Sequence, residues 1–392
     1  MDTKVASSAQ RTAIRFVILL GFVSLLADVT YEGARSITGP YLALLGAGGT
    51  AVGLVAGLGE LLGYGLRLVS GYLSDRSGRY WFFTIMGYAL NLLVVPLLAL
   101  AGRWEVAATL MIAERIGKAL RSPARDAMLS HATKEMGRGW GFGLHEAMDQ
   151  IGAMLGPLIV AAVLAARGSY QSGFAILLVP ALLALAVLAA ARWLYPRPQD
   201  IEPVSSEIQT AGLSRVFWLY LLGVAFLAAG FVDFPLISFH FQQTATVSPG
   251  MIPIFYAVAM GVDALAAIIF GRWFDKRGLS VLIIVASLSA LFAPLVFWGG
   301  APVAFLGMVL WGIGMGGQES IMRAAVAGMV SPDRRGSAYG IFNTGFGVAW
   351  FAGSALMGVL YDFSITALVA FSVLSQLAAI PVLYSLRQEN TA

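Results

Sequence analysis

GYLSDRSGRY, residues 71–80, and GRWFDKRGLS, residues 271–280, share the spacing G-x-x-x-D-basic-x-G at two positions two hundred residues apart. Each polar element is set between long apolar runs. A charged element that recurs at such a separation, in a chain otherwise poor in charge, marks a duplicated unit. The apolar runs around it show what that unit is made of.

The 392-residue chain is 58% hydrophobic and only 12% charged, against roughly 25% charged residues in soluble domains. A water-facing surface for two or three soluble domains is therefore missing. Lipid is the solvent that fits, since a bilayer core about 30 Å thick takes roughly 20 apolar residues per helix. Twelve such runs are predicted, near 14–40, 48–73, 80–101, 104–127, 138–166, 170–193, 213–240, 250–273, 279–299, 302–328, 336–360 and 364–387. The third, sixth, ninth and twelfth carry almost no charge and are expected to face lipid. The stretch LYPRPQDIEPVSSEIQTAG, 194–212, is rich in proline and acid and is predicted to link two halves, 1–193 and 213–392.

The net charge of +4 does not point to nucleic acid, because the basic residues lie in short loops between apolar runs. They report orientation instead. With the N-terminus in the cytoplasm, eighteen fall on one side: Lys4, Arg11, Arg15, Arg76, Arg79, Arg121, Arg125, Lys134, Arg138, Arg192, Arg197, Arg215, Arg272, Lys276, Arg277, Arg334, Arg335 and Arg387. Only Arg103 and Arg167 fall on the other. Under the positive-inside rule both termini are expected in the cytoplasm, with an even number of spans. The first run holds Asp28, Glu32 and Arg35 and lacks a small-residue cleavage site, so it is expected to be a span and not a signal peptide. The absence of cysteine excludes disulfide, zinc-thiolate and thiol chemistry.

The halves correspond in register. Arg15 precedes the first run and Arg215 the seventh. Gly71, Asp75 and Gly78 follow the second as Gly271, Asp275 and Gly278 follow the eighth. Arg125 ends the fourth and Arg323 the tenth. A six-helix unit repeated in parallel orientation accounts for this. At these residues the chain resembles the major facilitator superfamily of secondary transporters, whose signature loop between helices 2 and 3 is matched by GYLSDRSGR at 71–79. The resemblance implies an all-α membrane protein of twelve transmembrane helices, arranged as two six-helix bundles in pseudo-twofold relation. It further implies a conformational latch built from Gly71, Asp75, Arg76, Gly78 and Arg79, with Asp75 meeting Arg125 and the helix start near Gly336 and Ser337. Asp275 would mirror it with Arg323. The alternative is an ordinary loop with surface salt bridges, which contribute little.

A second match lies in the fifth run. Gly143, Gly152, Gly156 and Pro157 follow the spacing G-x8-G-x3-G-P, similar to the motif of proton-coupled exporters in the superfamily. Val160 and Ala161 stand where that pattern closes with glycines. The resemblance implies a hinge in this helix, whereas small residues also serve close helix packing in any membrane protein. Arg115 resembles the basic residue linked to proton coupling in such exporters, although IGKALRSPARDAM after it departs from their glycine-rich continuation.

Ionisable residues inside a membrane usually face a cavity or a partner. Asp28, Glu32 and Arg35 stand at i, i+4 and i+7 on the first run; Glu114, Lys118, Arg121 and Arg125 form a stripe on the fourth; His145 and Asp149 are i, i+4 on the fifth, beside Glu146. At about 1.5 Å per residue, Asp28 lies roughly 20 Å from Arg15 and Asp149 roughly 16 Å from Arg138, both deep. The alternative is that these residues pair structurally, Glu32 with Arg35, Glu114 with Lys118 and Glu60 with Arg67. Asp28 and Asp149 have no Lys or Arg one turn away, and buried carboxylates of that kind exchange protons near neutral pH. The proton-coupling candidates are therefore Asp28, Glu32, Glu114, Arg115, Glu146 and Asp149. Asp233 and Phe234 on the seventh run, with Trp311, Gln318 and Glu319 on the tenth, are the expected substrate-cavity residues, beside the alternative that such aromatics only pack or form interface belts. His131, His145 and His240 are scattered without metal-ligand spacing, so no metal is expected.

The expected function is proton-coupled export of a small amphipathic compound, cations included, by alternating access. That is an antiporter of multidrug-efflux character, needing no cofactor beyond the proton gradient. The alternatives are a proton-linked importer or a uniporter of a small metabolite, and a non-transporting membrane sensor on the same fold. No serine–base or histidine constellation suggests an enzyme. The expected partners are the small-molecule solute, protons and membrane lipid, without nucleic acid. A monomer in a bacterial-type inner membrane is expected.

Overall fold

The computed structural model describes residues 2–132, 138–196, 213–330 and 335–389, which form helices and short turns with no strand among them. The helices are α1 (Asp2–Leu44), α2 (Gly49–Ser77), α3 (Tyr80–Leu97, continued by a 3-10 turn Leu98–Leu100), α4 (Trp104–Ala132), α5 (Arg138–Arg167), α6 (Tyr170–Ile176), α7 (Leu178–Leu194), α8 (Arg215–Gly230), α9 (Phe234–Thr244), α10 (Ile252–Arg277), α11 (Ser280–Ser289), α12 (Phe292–Trp298), α13 (Ala301–Met329), α14 (Arg335–Phe363) and α15 (Ile365–Glu389). These fifteen helices make up the twelve predicted runs, because three runs are interrupted: α6/α7, α8/α9 and α11/α12. Among the described residues, eleven segments are long and apolar enough to cross a membrane. The twelfth is α4, whose hydropathy is lowered by Glu114, Arg115, Lys118, Arg121, Arg125 and Asp126. The predicted linker lies almost wholly outside the described residues.

The repeated element turns out to be mostly helix. α2 runs through Gly71 and Asp75 to Ser77, and α10 through Gly271 and Asp275 to Arg277. Each helix then stops at the motif's last glycine. Gly78 has φ +65° and Gly278 φ +57°, the left-handed region that glycine enters without a Cβ penalty. The duplicated glycine is thus a helix stop used twice.

Contacts divide the chain into two compact units, Met1–Ala34 with Leu66–Ser205, and Arg35–Gly65 with Ser206–Ala392. The last cut falls inside the predicted linker. The others carry the end of α1 from Arg35 and the start of α2 up to Gly65 into the second unit, so the units differ in their bounds from the predicted 1–193 and 213–392.

In the first unit a core forms around Phe16, Leu20, Trp81, Tyr88, Leu92 and Leu188. Glycine seams let its helices touch along their backbones. A Cβ at Gly87 would meet the backbone of Arg121, and one at Gly156 would meet Val29 and Gly33. In the second unit Gly316 lies against Asp263 and Gly353 against Ala229 in the same manner. Such small-residue contacts supply the packing that hydrophobicity cannot supply in lipid.

The α8/α9 interruption has a readable cause. Pro235 sits at the start of α9 and cannot continue a helix from α8. Asp233 caps α9 by accepting from the Phe234 N–H at 2.8 Å, and Trp311 Nε1 donates to the Val232 carbonyl at 2.9 Å. Backbone groups freed by the break are thereby re-satisfied, as hydrocarbon surroundings require. The first turn of α2 is held from afar: Asp362 accepts from Gly49 N–H at 2.8 Å and from Thr50 N–H and Oγ1–H at 2.7 Å each.

Candidate functional site

The first unit holds an ionic chamber. Asp28 on α1 is buried, and its Cβ lies against Gly152 of α5, whose missing side chain leaves room for it. Asp149, Lys118, Arg121 and Glu32 lie within its electrostatic reach. Lys118 Nζ stands 4.0 Å from the Tyr31 ring centre, and the Arg121 guanidinium lies 4.3 Å from that of Tyr88. Both are cation–π contacts. Arg121 is 1% exposed, yet its Nε and Nη1 have no hydrogen-bond partner among the described residues.

Asp149 stands at the edge of this chamber, 3.9 Å from Arg125 Nη1 and 3.7 Å from His145 Nε2. The sequence offered it no Lys or Arg one turn away; the structure supplies Arg125 from α4. Ser24 Oγ accepts from Arg125 Nη1 at 3.0 Å and hydrogen-bonds Tyr88 OH and His145 Nε2, both at 3.2 Å. A serine, a histidine and an aspartate thus meet, but one nitrogen, Nε2, serves both Ser24 and Asp149, while Nδ1 has no partner among the described residues. Nucleophile activation needs the base oriented through its opposite nitrogen. This cluster is a polar network and not a catalytic triad.

Several expected partnerships are corrected. Glu114 accepts from Asn91 Nδ2 at 2.6 Å and pairs with Arg115 Nε at 3.3 Å instead of with Lys118. Arg35 bonds Glu60 at 3.2 Å and Asp233 at 2.7 Å, two partners the local spacing did not suggest. Glu32 is buried within reach of Asp28 and Lys118, and Glu146 is exposed. In the expected latch, Asp75 accepts from Tyr80 OH at 3.1 Å. Arg125, expected beside it, is committed to Asp126, Ser24 and Asp149. Arg76 donates to Tyr72 OH at 3.1 Å, and Arg79 and Asp275 are exposed. The side chains of Arg323 and Ser337 lie outside the described residues. In α5, Gly152 and Gly156 form the seam against α1, Gly143 faces open space, and the helix continues through Pro157.

The second unit contains a cleft of ≈ 420 Å³, its open mouth included, lined by Tyr64 of α2, by Met315, Gln318, Glu319 and Met322 of α13, and by Phe342, Asn343, Phe346 and Trp350 of α14. The lining residues fall at i, i+3, i+4, i+7 on α13 and at i, i+4, i+8 for the three aromatics on α14, one face of each helix. The rings interlock: Tyr64 and Phe346 meet edge to face at 5.3 Å, and Phe346 and Trp350 at 5.4 Å. Of the expected cavity residues only Gln318 and Glu319 line this cleft. Asp233, Phe234 and Trp311 belong to the packed interior, where the Asp233 carboxylate is taken up by Arg35 and the α9 cap. Tyr64, Met315, Met322, Phe342, Asn343, Phe346 and Trp350 were missed, although the F-x3-F-x3-W spacing at 342–350 was a usable signal.

A family model described as the Major Facilitator Superfamily matches residues 18–354 and again 234–391. An uncharacterized protein of Mycobacterium tuberculosis is 46% identical over 388 residues, covering 97% of this chain and 95% of its own. An uncharacterized MFS-type transporter of Methanocaldococcus jannaschii is 27% identical over 361 residues, 89% of each chain. Among solved structures, a peptide transporter of the POT type bound to sulfate superposes with TM-score 0.74 at 14% identity, covering 95% of this chain and 93% of that one. The nucleoside transporter NupG superposes with TM-score 0.71 at 14% identity, covering 95% and 98%. These two likenesses speak to the fold.

Proposed function

Because the chain belongs to the Major Facilitator Superfamily of membrane transporters, we propose that it is a secondary transporter that works by alternating access and exports a small amphipathic solute in exchange for protons. The observation that carries this reading is the pair of carboxylates Asp28 and Asp149, held in one chamber with Lys118, Arg121 and Arg125 close by. Two acids in electrostatic contact repel each other when both are ionised. Two or three cations beside them balance that repulsion in one state and release it in another. Such a group exchanges a proton at little cost when its surroundings shift.

The solute is taken in the cleft of the second unit. Aromatic faces and thioethers accept apolar rings, and Glu319 at the rim favours a positive or neutral solute over an anion. In this reading the protein is a monomer in a bacterial-type inner membrane with both termini in the cytoplasm, in contact with lipid, and powered by the proton gradient without cofactor or metal. It moves its solute without chemical change.

The test uses inverted vesicles and ethidium as the solute. Vesicles energised by a pH gradient accumulate ethidium severalfold over vesicles lacking the protein, a protonophore collapses the accumulation, and Asp149→Asn abolishes it. Uptake indifferent to the protonophore, or unchanged in Asp149→Asn, overturns proton coupling.

A further inference from the structure

The cleft holds a feature that an apolar solute does not use. Gln318 is 3% exposed, and neither its Nε2 nor its Oε1 has a hydrogen-bond partner among the described residues. Trp350, also 3% exposed, leaves its indole Nε1 unpartnered as well. Buried polar side-chain atoms are hydrogen-bonded in the large majority of cases. Here three orphaned polar atoms belong to two residues that line one cleft.

Their chemistry defines what would satisfy them. A carboxamide presents a donor and an acceptor side by side in one plane. It pairs in bidentate fashion with an edge that offers the complementary acceptor and donor, as glutamine does with a heterocycle edge. The indole N–H is a donor only and adds one further acceptor to the requirement. Around these groups stand the rings of Tyr64, Phe342, Phe346 and Trp350, with Phe342 and Phe346 nearly parallel at 6.1 Å. Ring walls of this kind accept a flat π-system.

We propose that the solute class of this cleft is a planar aromatic or heteroaromatic molecule with a lactam-type edge, an adjacent N–H donor and C=O acceptor, read by the Gln318 carboxamide, with Trp350 Nε1 donating to a second acceptor. This rests on the reading of the cleft as the solute site and narrows it. Planar amphipathic solutes without the edge, ethidium among them, rest on the ring walls alone; the edge adds affinity and selectivity.

The test is equilibrium binding to the purified full-length protein in detergent, with binding to empty micelles subtracted and no gradient applied. The probes are 2-quinolone, whose N–H and C=O are adjacent, and its N-methyl derivative, which keeps the ring and loses the donor. 2-Quinolone binds at least about tenfold tighter than the N-methyl compound, as one good bidentate pair discriminates. Gln318→Leu removes the preference, and Trp350→Phe weakens both probes severalfold while keeping the preference. A structural role for Gln318 is read separately: its amide has no partner to lose among the described residues, so Gln318→Leu melts at or above the wild-type temperature. Equal binding of the two probes, absence of binding, or a preference that survives Gln318→Leu overturns the proposal. So does a lowered melting temperature in Gln318→Leu, which would make the amide a structural group. Ethidium accumulation in vesicles is independent of these results. If it persists while 2-quinolone fails to bind, the edge-reading proposal falls and the transport reading stands. If it is lost while 2-quinolone binding holds, only the proton-coupled reading falls.

Discussion

The interiors of the two units are built on opposite principles. The first gathers charges: Asp28, Glu32, Lys118, Arg121, Arg125 and Asp149 share a chamber with Tyr31, Tyr88 and His145. The second gathers Arg35, Glu60 and Asp233 in one buried cluster, holds Asp263 buried against Gly316, and lines its cleft mostly with rings, methionines and neutral amides beside Glu319. Ions in a low-dielectric interior respond steeply to one another, so the first interior suits proton exchange. Rings and an amide respond to shape and edge chemistry, so the second suits recognition of a solute. The two units are filled differently.

The largest effect that can break this comparison is at Arg35. Arg35→Met leaves Glu60 and Asp233 without that cation in the packed interior. It is expected to cost about 3–5 kcal/mol, as breaking a buried pair does, and to be seen as a fall in detergent melting temperature. A change within experimental scatter would show that this cluster is not a tightly held one. Next is Asp28→Asn, which removes one acid from the first chamber. Protonophore-sensitive ethidium uptake is expected to fall at least tenfold while 2-quinolone binding in detergent is unchanged. Coupled loss of both would merge the two roles assigned here.

A smaller effect separates packing from hinge in α5. Gly152→Ala places a methyl against Leu25 and Asp28 and is expected to cost about 1–3 kcal/mol by overpacking. Gly143→Ala, at open space, is expected to leave melting unchanged or slightly raised. The smallest effects test the duplication. Gly78→Ala and Gly278→Ala each place a Cβ at positive φ and are expected to cost at least about 1–2 kcal/mol apiece, with the larger loss at Gly278, whose ψ of −147° lies in backbone territory held almost only by glycine. A smaller loss at Gly278 would show that its stop relaxes.

The architecture was readable because its signals are periodic or repeated. Apolar run length, loop charge and the spacing of Gly71, Asp75 and Gly78 against Gly271, Asp275 and Gly278 are local quantities. The interruption at 231–233 was missed because counting apolar residues passes through Pro235, although an aspartate two residues before a proline is a helix-start signal. Ion partners were the least legible. Arg35 has Glu32 one turn away, yet it bonds Asp233, 198 residues distant. Arg125 leaves Asp75 for Ser24, 101 residues away. Neighbours across helices are set by packing, which one strand of text does not contain. The cleft was half seen. Gln318 and Glu319 were picked for their polarity, whereas Phe342, Phe346 and Trp350 were lost among the many aromatics of an apolar chain.

The cap on α2 has a consequence for how the molecule is made. Thr50 and the carboxylate that holds it are 312 residues apart, and ribosomes add about 5–20 residues per second. The second helix therefore waits roughly 15–60 s, at those rates, for the oxygen atoms that close its first turn. Until Asp362 emerges, those donors must be satisfied by water or lipid headgroups, so the near end of α2 belongs among the last parts of the protein to settle.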